Sequence, residues 1–245
     1  MDLTTLERAA ETLLAPPNLV SAEDRKQADL YFEEFKRNVT INDCIMLLQQ
    51  SSNSFVLFQI GQTIGDILLR DWSLVNGEDV QTAYKKLLEF VATRPGIEPF
   101  VVGAFLKSAA MIIKRGILDG KSGDQEELFQ FIHQLLTNES SSLQAAGCLF
   151  ISALIEQFSS CWRNSKYSIT WDFHLQAKTN FENNGLRRLL EMSLTTLHAL
   201  SNQENILGND FTRRLCDRFL EVAENIFSWN FSSRFFRRFT ANNQK

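Results

Sequence analysis

Between residues 54 and 72, Leu57, Ile60, Ile64, Ile67 and Leu68 return at steps of one, three and four residues. That spacing lays one apolar stripe along a helix. Ala28, Tyr31, Phe32 and Phe35 repeat the pattern in residues 21–38, and Val102, Phe105, Leu106, Ala109 and Ile113 repeat it in residues 98–116. No stretch alternates convincingly with period two. The pattern and its interruptions predict ten helices, over 2–15, 21–38, 40–51, 54–72, 78–94, 98–116, 124–138, 141–161, 186–203 and 208–229. Ser21 with Asp24, and Asp124 with Glu127, have the spacing of capping boxes. Pro16-Pro17, Arg94-Pro95-Gly96, Arg115-Gly116 and Asp119-Gly120 supply breaks. Residues 162–185, which hold Trp171, Asp172, Phe173 and His174, predict an insertion too long for a simple helix hairpin.

Most connections are short, so successive helices are expected to be antiparallel neighbours. The second helices of the pairs start near residues 21, 54, 98 and 141, at steps of 33, 44 and 43. Such a period predicts an all-α solenoid of HEAT or armadillo type, an open right-handed superhelix of about five pairs. A tetratricopeptide array would hold a strict step of about 34 residues. A compact helical bundle is the alternative. Gly61, Gly65, Ala104, Ala109, Ala145, Ala146 and Ala153 fall in second helices, where close neighbours demand small side chains. Residues 208–229 carry Phe211, Leu215, Phe219, Val222, Ile226 and Phe227, with no further pair after them. That predicts an exposed apolar face there, and self-association.

Composition narrows the function. Only four prolines and eleven glycines interrupt 245 residues, and twenty phenylalanines suit helix packing. A net charge of −4 argues against a dedicated nucleic-acid binder, which needs a basic surface. Cys44, Cys148, Cys161 and Cys216 form no C-x-x-C pair and no disulfide framework, which predicts reduced structural thiols in an intracellular protein. The N-terminus has no secretory pattern. No apolar run approaches the roughly 20 residues of a membrane span. The sequons at Asn38, Asn138 and Asn230 therefore carry no weight.

Catalytic chemistry finds no foothold. His133, His174 and His198 lack a partner at ligand spacing, so no metal and no cofactor is expected. Phosphate-binding glycine loops and a nucleophile elbow are absent. Ser159-Ser160-Cys161 has no nearby base. Gly61 and Gly65 form a G-x-x-x-G, which in a soluble helix means close packing. The expectation is a binding protein and not an enzyme. Gln59, Gln62, Asp66 and Arg70 line the polar face of residues 54–72, and Lys107 and Lys114, seven apart and followed by Arg115, share a face of 98–116. They read either as a ligand-facing ridge or as an ordinary solvated face, with the lysines snorkelling over an apolar wall. The run from Ser233 to Phe239 mixes cations with aromatics and reads first as a poorly packed tail.

Several separated segments resemble a known family. They are Leu6-Glu7 through Ala9-Ala10 with Leu14-Ala15-Pro16-Pro17; Phe55-Val56-Leu57-Phe58-Gln59 with Arg70-Asp71-Trp72; Ile113 through Asp119; Glu156 through Ser160; Phe173-His174; and Phe227 through Phe231. In this order they resemble the N-terminal part of the exportins, nuclear transport receptors of the importin-β superfamily. The resemblance covers residues 3 to about 231, and residues 232–245 form a divergent basic and aromatic tail. It implies a HEAT-repeat array over 1–231, in a truncated or alternative form of such a receptor. It implies binding of the GTPase Ran in its GTP form, protein cargo, contact with Phe-Gly nucleoporins, and shuttling between nucleus and cytoplasm. For the branch most resembled, the cargo is the hypusine-containing translation factor, Smad proteins and Sox proteins. No direct nucleic-acid or membrane partner is implied. Because the family grips Ran through the second helices of its first repeats, Gln59, Gln62, Asp66, Arg70, Lys107 and Lys114 become Ran-facing candidates by helix position. The competing expectations are a static HEAT scaffold, indifferent to nucleotide, and an RNA-binding repeat, against which the irregular steps argue.

Overall fold

The computed structural model describes residues 2–94, 96–159, 169–202 and 209–232. Among the described residues lie eleven α-helices and no strand: α1 (Leu3–Leu14), α2 (Ala22–Asn38), α3 (Ile41–Gln50), α4 (Ser54–Arg70), α5 (Gly77–Thr93), α6 (Pro99–Gly116), α7 (Gln125–Leu136), α8 (Ser141–Ser159), α9 (Trp171–Asn184), α10 (Leu186–Ser201) and α11 (Asp210–Phe227).

Side-chain caps start most of them. Ser21 accepts the Asp24 N–H and donates its hydroxyl to the Asp24 carboxylate, without the backbone half of a capping box. The full reciprocal box stands at Thr40 and Asp43 instead. Asp124 caps α7 by accepting from Glu126, not Glu127. Pro99 sits in the first turn of α6, where a missing N–H costs nothing.

The helices pair as α1/α2, α3/α4, α5/α6, α7/α8 and α10/α11, and the second helices stack, α4 on α6, α6 on α8, α8 on α11. The register of α4 on α6 is fixed by small residues. A Cβ placed on Gly61 would fall under 3.0 Å from the Phe105 ring, and one on Gly65 would press on Ser108. The G-x-x-x-G is thus the crossing point of two helices. Further along, Trp72 Nε1, just past α4, donates to Asp119 Oδ2 at 2.8 Å, just past α6. Contacts at both ends of the pair run in the same order, so α4 and α6 lie parallel. Leu57, Ile60, Ile64, Ile67 and Leu68 are all buried in a core that runs unbroken from Leu6 to Trp229.

The expected insertion over 162–185 is corrected in its second half. Residues 171–184 form α9, capped by the Thr170 hydroxyl, which accepts the Phe173 N–H. The reason it is hard to see in sequence is physical. Its buried face consists of His174, Ala177, Lys178 and Phe181, so two polar residues stand where an apolar period is sought. The end of the predicted 141–161 helix, Cys161 and the Ser233–Phe239 run lie outside the described residues. The expectation for α11 is also corrected. Leu215, Phe219, Val222 and Ile226 are buried, in the helix that packs on α8 and α10, and only Phe211 and Phe227 of the expected stripe are exposed. No described helix is long and apolar enough to cross a membrane.

Candidate partner-binding face

The six candidate residues do not gather in one place. On α4, Gln62 is exposed, while Gln59 and Asp66 are half-buried. Gln59 Oε1 is buried and accepts no hydrogen bond among the described residues. Arg70, at the end of α4, turns to its neighbour. Its Nε and Nη2 donate to the two oxygens of Asp71 at 3.0 and 2.8 Å, which holds the Asp71 carboxyl below its ordinary range. Both line an open groove with Thr40, Asn42 and Asp79, floored by Ile45 and Ile67. Lys107 leans the other way, towards α8, where Glu156 stands 3.7 Å from its ammonium. That pair is exposed and contributes less than about 1 kcal/mol.

Lys114 is corrected outright. It shares no solvent face with Lys107, because it is buried, with 3% of its surface exposed. Its ammonium donates to the Gln157 carbonyl at 2.5 Å and to His174 Nδ1 at 3.0 Å. It ties α6 to α8 and α9 and is unavailable to a partner. Two residues before Gly116, it brings α6, α8 and α9 together around one cation, whose burial is offset by these hydrogen bonds.

Around it residues far apart in the sequence converge. The Arg115 guanidinium lies between the rings of Trp72 and Phe173, 5.1 and 4.9 Å from their centroids. Burial lowers its pKa, and its Nε has no hydrogen-bond partner among the described residues. Stacking on two rings offsets part of that desolvation. Phe158 stacks flat on Phe181 at 4.1 Å, and Phe181 in turn meets Trp229 at 6.1 Å. Trp229 Nε1 donates to Glu182 at 2.8 Å, and Lys178 Nζ lies 5.0 Å over the Trp229 ring. Residues 72, 114, 115, 158, 174 and 229, far apart in sequence, thus form one polar and aromatic junction between α6, α8, α9 and the segment after α11. Only Lys114 and Arg115 of this set were expected to matter through their charge, and for the wrong side of the helix.

This junction sets a pH dependence. Burial, with the positive charges of Lys114 and Lys178, holds the His174 pKa down at about 4. In the unfolded chain the imidazole takes its proton near pH 6.5. The unfolded chain therefore binds the extra proton first, and stability is complete above about pH 6.5 and falls as pH drops towards about 4, by up to about 1.4 kcal/mol per unit. Urea midpoints between pH 7 and 4.5 should fall along this slope in the parent and much less in His174→Asn. Equal slopes in both would place the imidazole elsewhere.

Among the described residues no group of three His, Cys, Asp or Glu side chains could hold a metal. Burial pushes the Cys44 and Cys148 thiols up to about 12, which leaves them unreactive. No protein-family profile matches the chain.

Proposed function

We propose that this chain is the Ran-binding N-terminal part of a nuclear export receptor resembling exportin-4, built as a HEAT-type solenoid. It binds Ran-GTP through its first repeats and takes part in carrying protein cargo between nucleus and cytoplasm. It is a binding protein and not an enzyme. What supports the reading is the junction. Trp72, Lys114-Arg115, Asp119, Gln157-Phe158, Phe173-His174 and Trp229 come from five of the segments that resemble the exportins, and they meet in one network, Trp229 through Phe181. The stacking of α4, α6, α8 and α11 in chain order suits a solenoid, which contacts mainly its neighbours and so can wrap a partner. GTP belongs to Ran, so this chain needs no phosphate loop.

The Ran-facing residues proposed are Gln59, Gln62, Asp66, Arg70 and Lys107; Lys114 is withdrawn because it is buried. A pull-down with Ran locked in its GTP form, against Ran-GDP, separates this reading from a static scaffold, which would ignore the nucleotide. Asp66→Lys with Arg70→Glu should weaken Ran-GTP capture by about tenfold while leaving the helical signal unchanged, since charge reversal acts on complementary contacts. Undiminished capture by that double variant would move the binding face off the end of α4.

A further inference from the structure

A second groove lies away from Arg70, where the N-terminal halves of α6, α8 and α11 run side by side. Its floor and walls are Val102, Ala145, Leu149, Phe211 and Leu215, with Ile97 and Pro99 at one end. The depression exists because α8 turns Ser142, Ala145 and Leu149 outward, at steps of three and four, where larger side chains would fill it. Phe211 stands 44% exposed on its rim.

The charge on this groove is one-sided. Arg214 and Arg218, both exposed and one turn apart on α11, are the only charged residues that line it among the described residues, and no described carboxylate does. Arg214 is shared with Asp210 at 2.7 Å. Arg218 makes no ion pair among the described residues. The groove beside Arg70, by contrast, is lined by Asp71 and Asp79.

We propose that this groove docks an amphipathic acidic helix from a partner protein, its apolar side on Ala145, Leu149 and Phe211 and its carboxylates on Arg214 and Arg218. An extended peptide fits worse. The walls are helices whose backbone groups are already paired, so a strand laid there would leave its own N–H and C=O groups without partners, whereas a helix satisfies them internally. An apolar floor supplies affinity, and the two arginines select the sign of the partner and its register. The inference does not rest on Ran binding, since none of the Ran-facing residues lines this groove.

The test uses the full chain and two synthetic fluorescent peptides of about 14 residues, enough for a helix of about 20 Å. One has leucine on one face and glutamate on the other; its twin has lysine for every glutamate. Fluorescence polarisation should show the glutamate peptide binding at least about tenfold tighter than the lysine twin. Arg218→Glu should remove most of that preference, and Arg214→Glu with Arg218→Glu should reverse it. Both arginines are exposed, so neither change touches the core. No binding of the glutamate peptide, equal binding of the twins, or indifference to Arg218→Glu would overturn the proposal. So would self-association that Arg218→Glu abolishes without any peptide binding, because the occupant would then be a second copy of the chain.

Discussion

Gly61→Val is expected to lower stability by about 3 kcal/mol, the upper end of the range for overpacking a filled core. Its Cβ would enter the space of the Phe105 ring, which is fully buried and packed against Phe90 at 5.4 Å. The ring cannot swing into solvent, so either α4 moves off α6 or the ring leaves its rotamer. Glycine's poor helix propensity works against the loss, since valine is favoured over it in a helix by a few tenths of a kcal/mol. The clash is the larger effect. Urea denaturation should therefore show a lower midpoint with the slope retained. Phe105→Leu made on top should recover part of the loss, with a coupling of about 1 kcal/mol or more. A valine variant as stable as the parent would mean that α4 and α6 are farther apart than described.

Phe158→Ala is expected to cost about 4 kcal/mol, as truncation of a buried aromatic commonly does. Phe158 is fully buried and its ring lies 4.1 Å from that of Phe181, nearly parallel to it at 4°. This contact joins α8 to α9, and through Phe181 it supports Trp229 beyond α11. The loss should therefore be uneven. Hydrogen exchange in α9 should rise by orders of magnitude, while the amides of α4 stay protected. A uniform rise along the chain would show that the junction is not a separate unit.

Element type was legible wherever the inward face is apolar throughout. Residues 54–72 and 98–116 announce α4 and α6 because Leu57, Ile60, Phe105 and Ile113 stand at helical steps and are all buried. The same sign fails for α9, whose core face includes His174 and Lys178, each 5% exposed or less. The candidate site was less legible, and Lys114 shows why. Helix periodicity says that Lys107 and Lys114 share a face, but seven residues do not complete a whole number of turns of 3.6 residues each. More decisively, the lower end of α6 is covered by α9, an element absent from the expected layout. Arg115 was hidden for a related reason. Its partners, Trp72 and Phe173, are 43 residues before it and 58 after it, and aromatic sandwiches have no local spacing rule.

The spans of the tertiary ties have a mechanical meaning. Ser51 reaches back 44 residues to Glu7, Arg94 reaches back 45 to Gln49, Trp72 reaches 47 to Asp119, and Lys114 reaches 43 to Gln157. The longest ties, Lys114 to His174 at 60 and Arg188 to Glu126 at 62, are those that cross or reach past α9. No hydrogen bond named here joins the first pair to the last. Tension applied at the two ends would therefore meet the pairs in series and peel them one after another, as links give in a chain. The stiffest link would be the one around Lys114, where α6, α8 and α9 are pinned to one another.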